Sequence, residues 1–313
     1  MTPGEVGRMA SPLAAFVGTV VVLPILVVGI INRTKALWSG RKGLPILQLA
    51  FDLVRLMRKQ SVYSAATTPI FRLAPYVVLA TTLASALVVP LFGRQSAIAF
   101  PFDFVWFAYV WALGRVALML AALDVGSSFE GMGASREATL STLLEPTLFL
   151  VAGALSTASG EHSLTGAVAM RIDAGGSLVV WAASIIALFI IVQVESGRMP
   201  ADDPSTHLEL TMIREVMILD HSGPDLAVLQ YGSALKMTVG ITLLAALVNP
   251  WAGADHVMAV AAAANVGISL VIAVVIGTVE SMVARLKLST VPQYILAATI
   301  AAFVALIATS WHA

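Results

Sequence analysis

Eight stretches of roughly twenty residues carry little or no charge, at about 9–31, 70–92, 103–123, 139–159, 177–195, 234–252, 256–280 and 292–311. The hydrocarbon core of a bilayer is ~30 Å thick, and a helix rising about 1.5 Å per residue crosses it in about twenty residues. Inside lipid each backbone N–H and C=O must be bonded within the segment, which leaves the helix as the fold for such runs. They predict an all-α integral membrane protein with eight spans. Composition agrees: 58% of the 313 residues are hydrophobic and 12% charged, against about a quarter charged in soluble domains. The sixth run is the weakest, because Lys236 and Asn249-Pro250 bracket a short core. The first run covers ~34 Å, beyond a secretory h-region of ~7–15 residues, and no small-x-small site follows it. It is expected to be a retained first helix.

Charge sets the orientation. Arg33, Lys35, Arg41, Lys42, Arg55, Arg58, Lys59 and Arg72 flank or fill the first connection. Arg136, Arg198, Arg214, Lys236, Arg285 and Lys287 fall on the same side, and Arg8, Arg94 and Arg171 on the other. The positive-inside rule then places the loops at about 32–69, 124–138, 196–233 and 281–291 in the cytoplasm, with both termini outside and residues 1–313 as one transmembrane domain. Within the first loop, Leu44, Leu47, Phe51, Val54 and Met57 recur at spacings of three and four, among Gln48, Asp52, Arg55, Arg58 and Lys59. That pattern is an amphipathic helix lying along the membrane surface, and a basic anchor to anionic lipid is the simpler use for it. No internal repeat, matched pair of broken helices or selectivity loop is visible, which disfavours an inverted-repeat transporter or a channel. Zero net charge and the lack of a basic tail give no sign of nucleic-acid binding. The absence of cysteine excludes disulfides, Cys-ligated clusters and thiol catalysis within this chain.

Ionisable groups inside spans cost about +2.5–3.5 kcal/mol each on insertion scales, so each is a functional candidate. Glu145 lies about a turn into the fourth run, before Pro146, and Arg115 is midway along the third. Asp124 closes the third run, Glu195 the fifth and Glu280 the seventh, while Lys236 opens the sixth. Those four stand near interfaces, where snorkelling to water competes with a functional role; for Glu145 and Arg115 the competitor is a structural pair. A buried carboxyl without a fixed cation has its pKa raised by desolvation, as a proton relay requires. The longest charged segment runs from Glu195 to Asp225 and is rich in acid, although cytoplasmic loops favour Lys and Arg. Pro200 disrupts any regular helix between Arg198 and Asp202, and 208–219 is expected to form a short helix. The spacing of His207, Glu209 and His221 matches no established metal-ligand pattern.

The run Glu195-Ser-Gly-Arg198-Met-Pro200-Ala-Asp202 resembles the Glu-Thr-Asn-Arg-Ala-Pro-Phe-Asp signature of the quinone-site membrane subunit of respiratory complex I. Glu209-Leu210 is similar to the Glu-Leu that follows it, and Asp220-His221-Ser222-Gly223 to its Glu-Tyr-Ser-Gly. Gly40-Arg41-Lys42-Gly43, Leu47-Gln48, Asp52 and Lys59 look like the family's loop after the first helix, and Glu145 like its fourth-span Glu. Three longer strings resemble instead the membrane subunit of group 4 nickel–iron hydrogenases, of the formate hydrogenlyase and hydrogenase-4 type. They are the run from Leu123 to Glu137, the run from Pro204 through His207 and Glu209 to Met212, and Glu195-Ser196-Gly197-Arg198.

The resemblance implies an anchor subunit of a prokaryotic cytoplasmic (inner) membrane, with eight core spans and no redox centre of its own. Nickel–iron and iron–sulfur centres are then expected in partners: the large and small hydrogenase subunits and iron–sulfur subunits, alongside antiporter-like membrane subunits and the lipid bilayer. Arg41, Asp52, Arg136, Glu137, Arg198 and His207 are expected to shape the surface under the redox arm. Glu145, Glu195, Asp202, Glu209, Glu215 and Asp220, with Asp124 and Glu280 as secondary members, are expected to carry protons. The hydrogenase relatives reduce protons without needing quinone, so the resemblance does not require a quinone pocket. The alternatives are the quinone-site subunit of NADH:quinone oxidoreductase proper and a purely structural anchor.

Overall fold

A computed structural model of the chain describes residues 3–91, 96–168, 176–202, 212–251 and 258–310. Among these residues, ten α-helices run in the order α1 (Pro3–Trp38), α2 (Gln48–Met57), α3 (Pro69–Val88), α4 (Asp103–Asp124), α5 (Ser128–Ser159), α6 (Leu164–Val168), α7 (Gly176–Glu195), α8 (Gly223–Val248), α9 (Met258–Met282) and α10 (Val291–Ser310). Among the described residues, 8 of these are long and apolar enough to cross a bilayer, all but α2 and α6. The eight expected spans are present, and no strand occurs among the described residues.

Helix α8 is the hub. Its most apolar window is 83% buried, against 28% for those of α9 and α10, and it packs on α1, α2, α3, α7 and α9. Lipid tails are as apolar as leucine, so spans associate by close packing rather than by the hydrophobic effect, and small residues permit it. A Cβ on Gly240 would lie 2.8 Å from Val192 of α7. The α3–α4 pair uses the same device, with Gly114 set against Thr81. Other packed pairs are α7 with α10, α1 with α9, α5 with α10, α4 with α5 and α5 with α7.

Several helix boundaries depart from the expected ones, for one reason. A search for uncharged runs finds the lipid-soluble part of a helix, whereas the helix itself ends where the backbone signals change. Helix α5 begins at Ser128, inside the expected 124–138 loop, because Gly126 (φ 75°) closes α4 and Glu130 favours a helix first turn. Helix α8 begins at Gly223, with Pro224 and Asp225 in its first turn, and ends at Val248, with Asn249 as an extended cap before Pro250. The amphipathic helix starts at Gln48 rather than Leu44, since Gly43 takes φ 67° and Pro45 follows. Its Phe51, Val54 and Met57 are exposed, as a surface-lying helix requires. The expected helix at 208–219 is a single 3₁₀ turn, Glu215–Ile218, within its described part.

Candidate functional site

Helices α4, α5, α7 and α8 bring charged side chains from distant parts of the chain to one buried point. Glu195, the last residue of α7, is 5% exposed. Its Oε1 lies 2.8 Å from Arg115 of α4, and its Oε2 accepts a hydrogen bond from Lys236 of α8 at 2.6 Å. Arg115 also reaches Glu145 at 3.3 Å and Glu137 at 3.9 Å, two turns apart on one face of α5. Arg214, in the loop before α8, donates to the Glu195 carbonyl and comes within 3.9 Å of Glu137. Three cations and three carboxylates therefore share one cluster. Excluding water from so many charges is tolerable only because each has an opposite partner.

Two smaller groups of charges, around Asp202 and Glu280, extend it. The Asp202 Oδ2 accepts hydrogen bonds from the backbone N–H groups of Ile213 and Arg214, both at 3.0 Å, and its Oδ1 from Arg285 at 3.1 Å. Glu280, whose side chain is fully buried, lies 2.9 Å from Lys35 of α1 and 3.7 Å from Arg198. The 195–202 segment thus carries charge from the bundle centre to α1 and α9. A Met199–Pro200 cis peptide lies within it.

A cavity of about 450 Å³ borders the cluster, walled by α1, α2, α3, α4 and α8 and by the loops at 196–198 and 214–218. Arg115, Arg214 and Lys236 face it, as do Asp52, Arg198 and Glu215, whereas Glu195, Glu137 and Glu145 do not line it. Asn32, Thr81, Thr82, Gln230 and Ser233 add hydrogen-bonding groups. Lys236 is held from the other side by Trp111, whose ring centroid is 5.1 Å from Nζ and whose N–H donates to Ser85.

Of the residues expected to carry protons, Glu195, Glu145 and Asp202 join this system, Glu280 anchors its α1–α9 side, and Glu215 stands on the cavity wall. Glu195 and Glu280 do not snorkel; both are buried. Asp220 is exposed, and its backbone N–H donates to Glu130. Asp124 is a brace: it accepts from the Thr68 N–H at 2.7 Å and hydroxyl at 2.8 Å, tying the end of α4 to the start of α3. Glu209 and His207 lie outside the described residues. Of the residues expected on the docking surface, Arg41 is exposed, while Asp52 and Arg198 face the cavity. Arg136 donates to the Met212 carbonyl, and Glu137 is buried in the cluster rather than on the surface.

The structural pair weighed for Arg115 and Glu145 is present at 3.3 Å, Lys236 is buried on Glu195 rather than snorkelling, and Arg214 is a partner that the sequence does not single out. Sequence reasoning also missed Glu130, which is 1% exposed and braces the loop from the first turn of α5. Its signal was available, as an acid one residue before Gly131 in an otherwise small and apolar stretch.

The family model described as NADH dehydrogenase matches residues 11–310. Hydrogenase-4 component C of Escherichia coli (strain K12) is 32% identical over 234 residues, covering 74% of this chain and 72% of that protein. Formate hydrogenlyase subunit 4 of the same organism is 29% identical over 280 residues, covering 86% and 88%. An NADH-quinone oxidoreductase subunit of Methylococcus capsulatus is 25% identical over 249 residues, covering 77% of each. Among solved structures, a chain of the membrane-bound sulfane sulfur reductase, an archaeal respiratory membrane complex, shares the fold with a TM-score of 0.79 at 18% identity, covering 97% of this chain and 99% of that one. These matches and the eight-span bundle show that the chain belongs to the NADH dehydrogenase family, as a complex I-like membrane protein with relatives in hydrogenase-4 and formate hydrogenlyase.

Proposed function

We propose that this chain is the membrane anchor and coupling subunit of a complex I-like nickel–iron hydrogenase of a prokaryotic inner membrane. Its relatives are membrane subunits of hydrogenases and of NADH-quinone oxidoreductase, and that coarser description applies to it directly. In the finer reading, its cytoplasmic face docks a redox arm that carries nickel–iron and iron–sulfur centres in other subunits. Its buried carboxylates pass charge toward antiporter-like membrane subunits. Both termini face outward. The observation that supports coupling is the position of Glu195, buried at the end of a span and shared between Arg115 and Lys236 beside a polar-walled cavity. Ion networks of this kind cost stability compared with apolar packing, and intramembrane charges mark ion pathways more often than they serve as fillers.

The test replaces Glu145 or Glu209 by Gln in the assembled complex and follows hydrogen turnover together with ion pumping. Turnover with reduced pumping is the expected outcome, and wild-type pumping in both variants would remove the relay. Mass spectrometry of subunits that co-purify in mild detergent, with nickel and iron assays, tests the partners. A quinone-linked subunit is the second reading, favoured by the cavity, whose volume of about 450 Å³ falls in the ~300–1,000 Å³ range of small-molecule sites. Inhibition of turnover by quinone-site inhibitors would select it.

A further inference from the structure

We propose that Lys236, rather than Glu195, is the group that gives up and regains the proton at the centre of the cluster. The inference rests on the coupling reading above and names the residue through which it works.

Geometry separates the candidates. Glu195 is pinned on both oxygens, by Arg115 at 2.8 Å and Lys236 at 2.6 Å. A guanidinium does not release its proton in proteins, so protonating Glu195 would break a contact that nothing else replaces. Lys236 has no such bar. A neutral amine still donates a hydrogen bond to Glu195, and the carboxylate still keeps Arg115.

Charge count points the same way. Glu145 is the one carboxylate of the six-member cluster with substantial exposure, at 42% of its side chain. The dry part therefore holds Arg115, Arg214 and Lys236 against Glu195 and Glu137. Of these three cations only the lysine can discharge, and doing so balances the dry part.

Access is the third observation. Among the cluster members that line the cavity, Lys236 is the sole group able to titrate, the others being Arg115 and Arg214. The charged groups around it are Arg115 from α4, Glu195 from α7 and Arg214 from the preceding loop, with Asp52, Arg198 and Glu215 across the cavity. Helix α3 contributes Val78, Thr81 and Thr82 to the wall and no charge.

The proton leaves Nζ into the cavity. Glu195 then has Arg115 as its one side-chain cation and draws it in. Arg115 is shared with Glu145 at 3.3 Å, so Glu145 loses part of its counter-charge and takes up a proton from its exposed side. Arg115 carries this signal by moving between two carboxylates, and no proton passes through it. The return of a proton to Lys236 reverses both steps.

The test uses the assembled complex in sealed vesicles, measuring hydrogen turnover and ion pumping for Lys236→Arg, Lys236→His and Glu145→Gln. Lys236→Arg keeps the charge but fixes it, so the ions pumped per hydrogen turned over should fall by about tenfold or more. Lys236→His restores a titratable nitrogen, and its pumping should return with the pH optimum moved to lower pH. A purely structural lysine would show the opposite order, with Arg tolerated and His not, and that result overturns the proposal. Normal pumping in Lys236→Arg with loss in Glu145→Gln would overturn the lysine and keep the acidic path. Normal pumping in both would remove the path as well. Should Lys236→Arg fail to assemble, an assembled Lys236→His complex that does not pump at any pH refutes the proposal.

Discussion

Replacing Arg115 by Met asks how much of the bundle depends on one guanidinium. The side chain is 3% exposed and stands 2.8 Å from Glu195, 3.3 Å from Glu145 and 3.9 Å from Glu137. Met fills much of the volume but leaves Glu195 with Lys236 as its one side-chain counter-ion and Glu137 with a distant Arg214. Removing one partner of a buried pair costs about 3–5 kcal/mol, because the stranded charge stays desolvated. Glu145 is left out of this figure, because its side chain is 42% exposed. An unfolding entropy of ~2 cal/mol/K per residue amounts to about 0.7 kcal/mol/K for a chain of 313 residues, so the thermal midpoint should fall by roughly 4–7 °C. Tryptophan fluorescence during heating in mild detergent would follow it. Combining the change with Glu195→Gln removes one charge of each sign from the cluster, so the double variant should regain about 2 kcal/mol relative to the sum of the two single changes. Costs that add to within about 0.5 kcal/mol would refute the idea that these residues act as one unit.

Two further outcomes follow from the loop side. His221 is buried, stacked on Phe71 with ring centroids 3.9 Å apart, and neither ring nitrogen has a hydrogen-bond partner among the described residues. Burial holds its pKa down to about 4, from an ordinary 6.5, against the opposing pull of Asp225. The unfolded chain therefore binds the proton more readily, so stability is full above pH 6.5 and drains away as pH falls toward 4, by on the order of 3 kcal/mol in total. His221→Phe should flatten the thermal midpoint across that window, and an unchanged slope would rule out this residue as its source. In α1, a Cβ on Gly29 would lie 2.0 Å from the backbone oxygen of Ile46. Gly29→Ala should push the connection to α2 outward, cost about 1–3 kcal/mol and speed proteolysis between α1 and α2. Gly18→Ala, with nothing within 4 Å, is the control, and equal proteolysis rates in the two would discount the contact.

Much of the architecture was legible in the sequence because lipid imposes a local rule. A span must satisfy its own backbone and present apolar side chains, so eight uncharged runs suffice to find eight helices. Helix ends are less exposed to that rule. The starts of α5 at Ser128 and α8 at Gly223 depend on Gly126 and Pro224, local signals that a charge-based search overlooks. The run from Glu195 to Asp202 carries the family resemblance, since a continuous motif needs no partner to be recognised.

The cluster follows a different logic. Glu195 is adjacent to the charged 196–233 loop in sequence and reads equally well as an interfacial acid or a buried one. Helix packing decides the matter, by bringing Arg115 from 80 positions upstream and Lys236 from 41 positions downstream onto its two oxygens. The same packing turns Asp124 into a brace for Thr68 and places Glu137 among cations. Hydropathy is a property of each segment and survives translation from sequence to structure. Charge compensation is a property of pairs, and which pairs form is set by the close approach of α4, α5, α7 and α8, so the bundle and the family were determined by the sequence and the network by the tertiary structure.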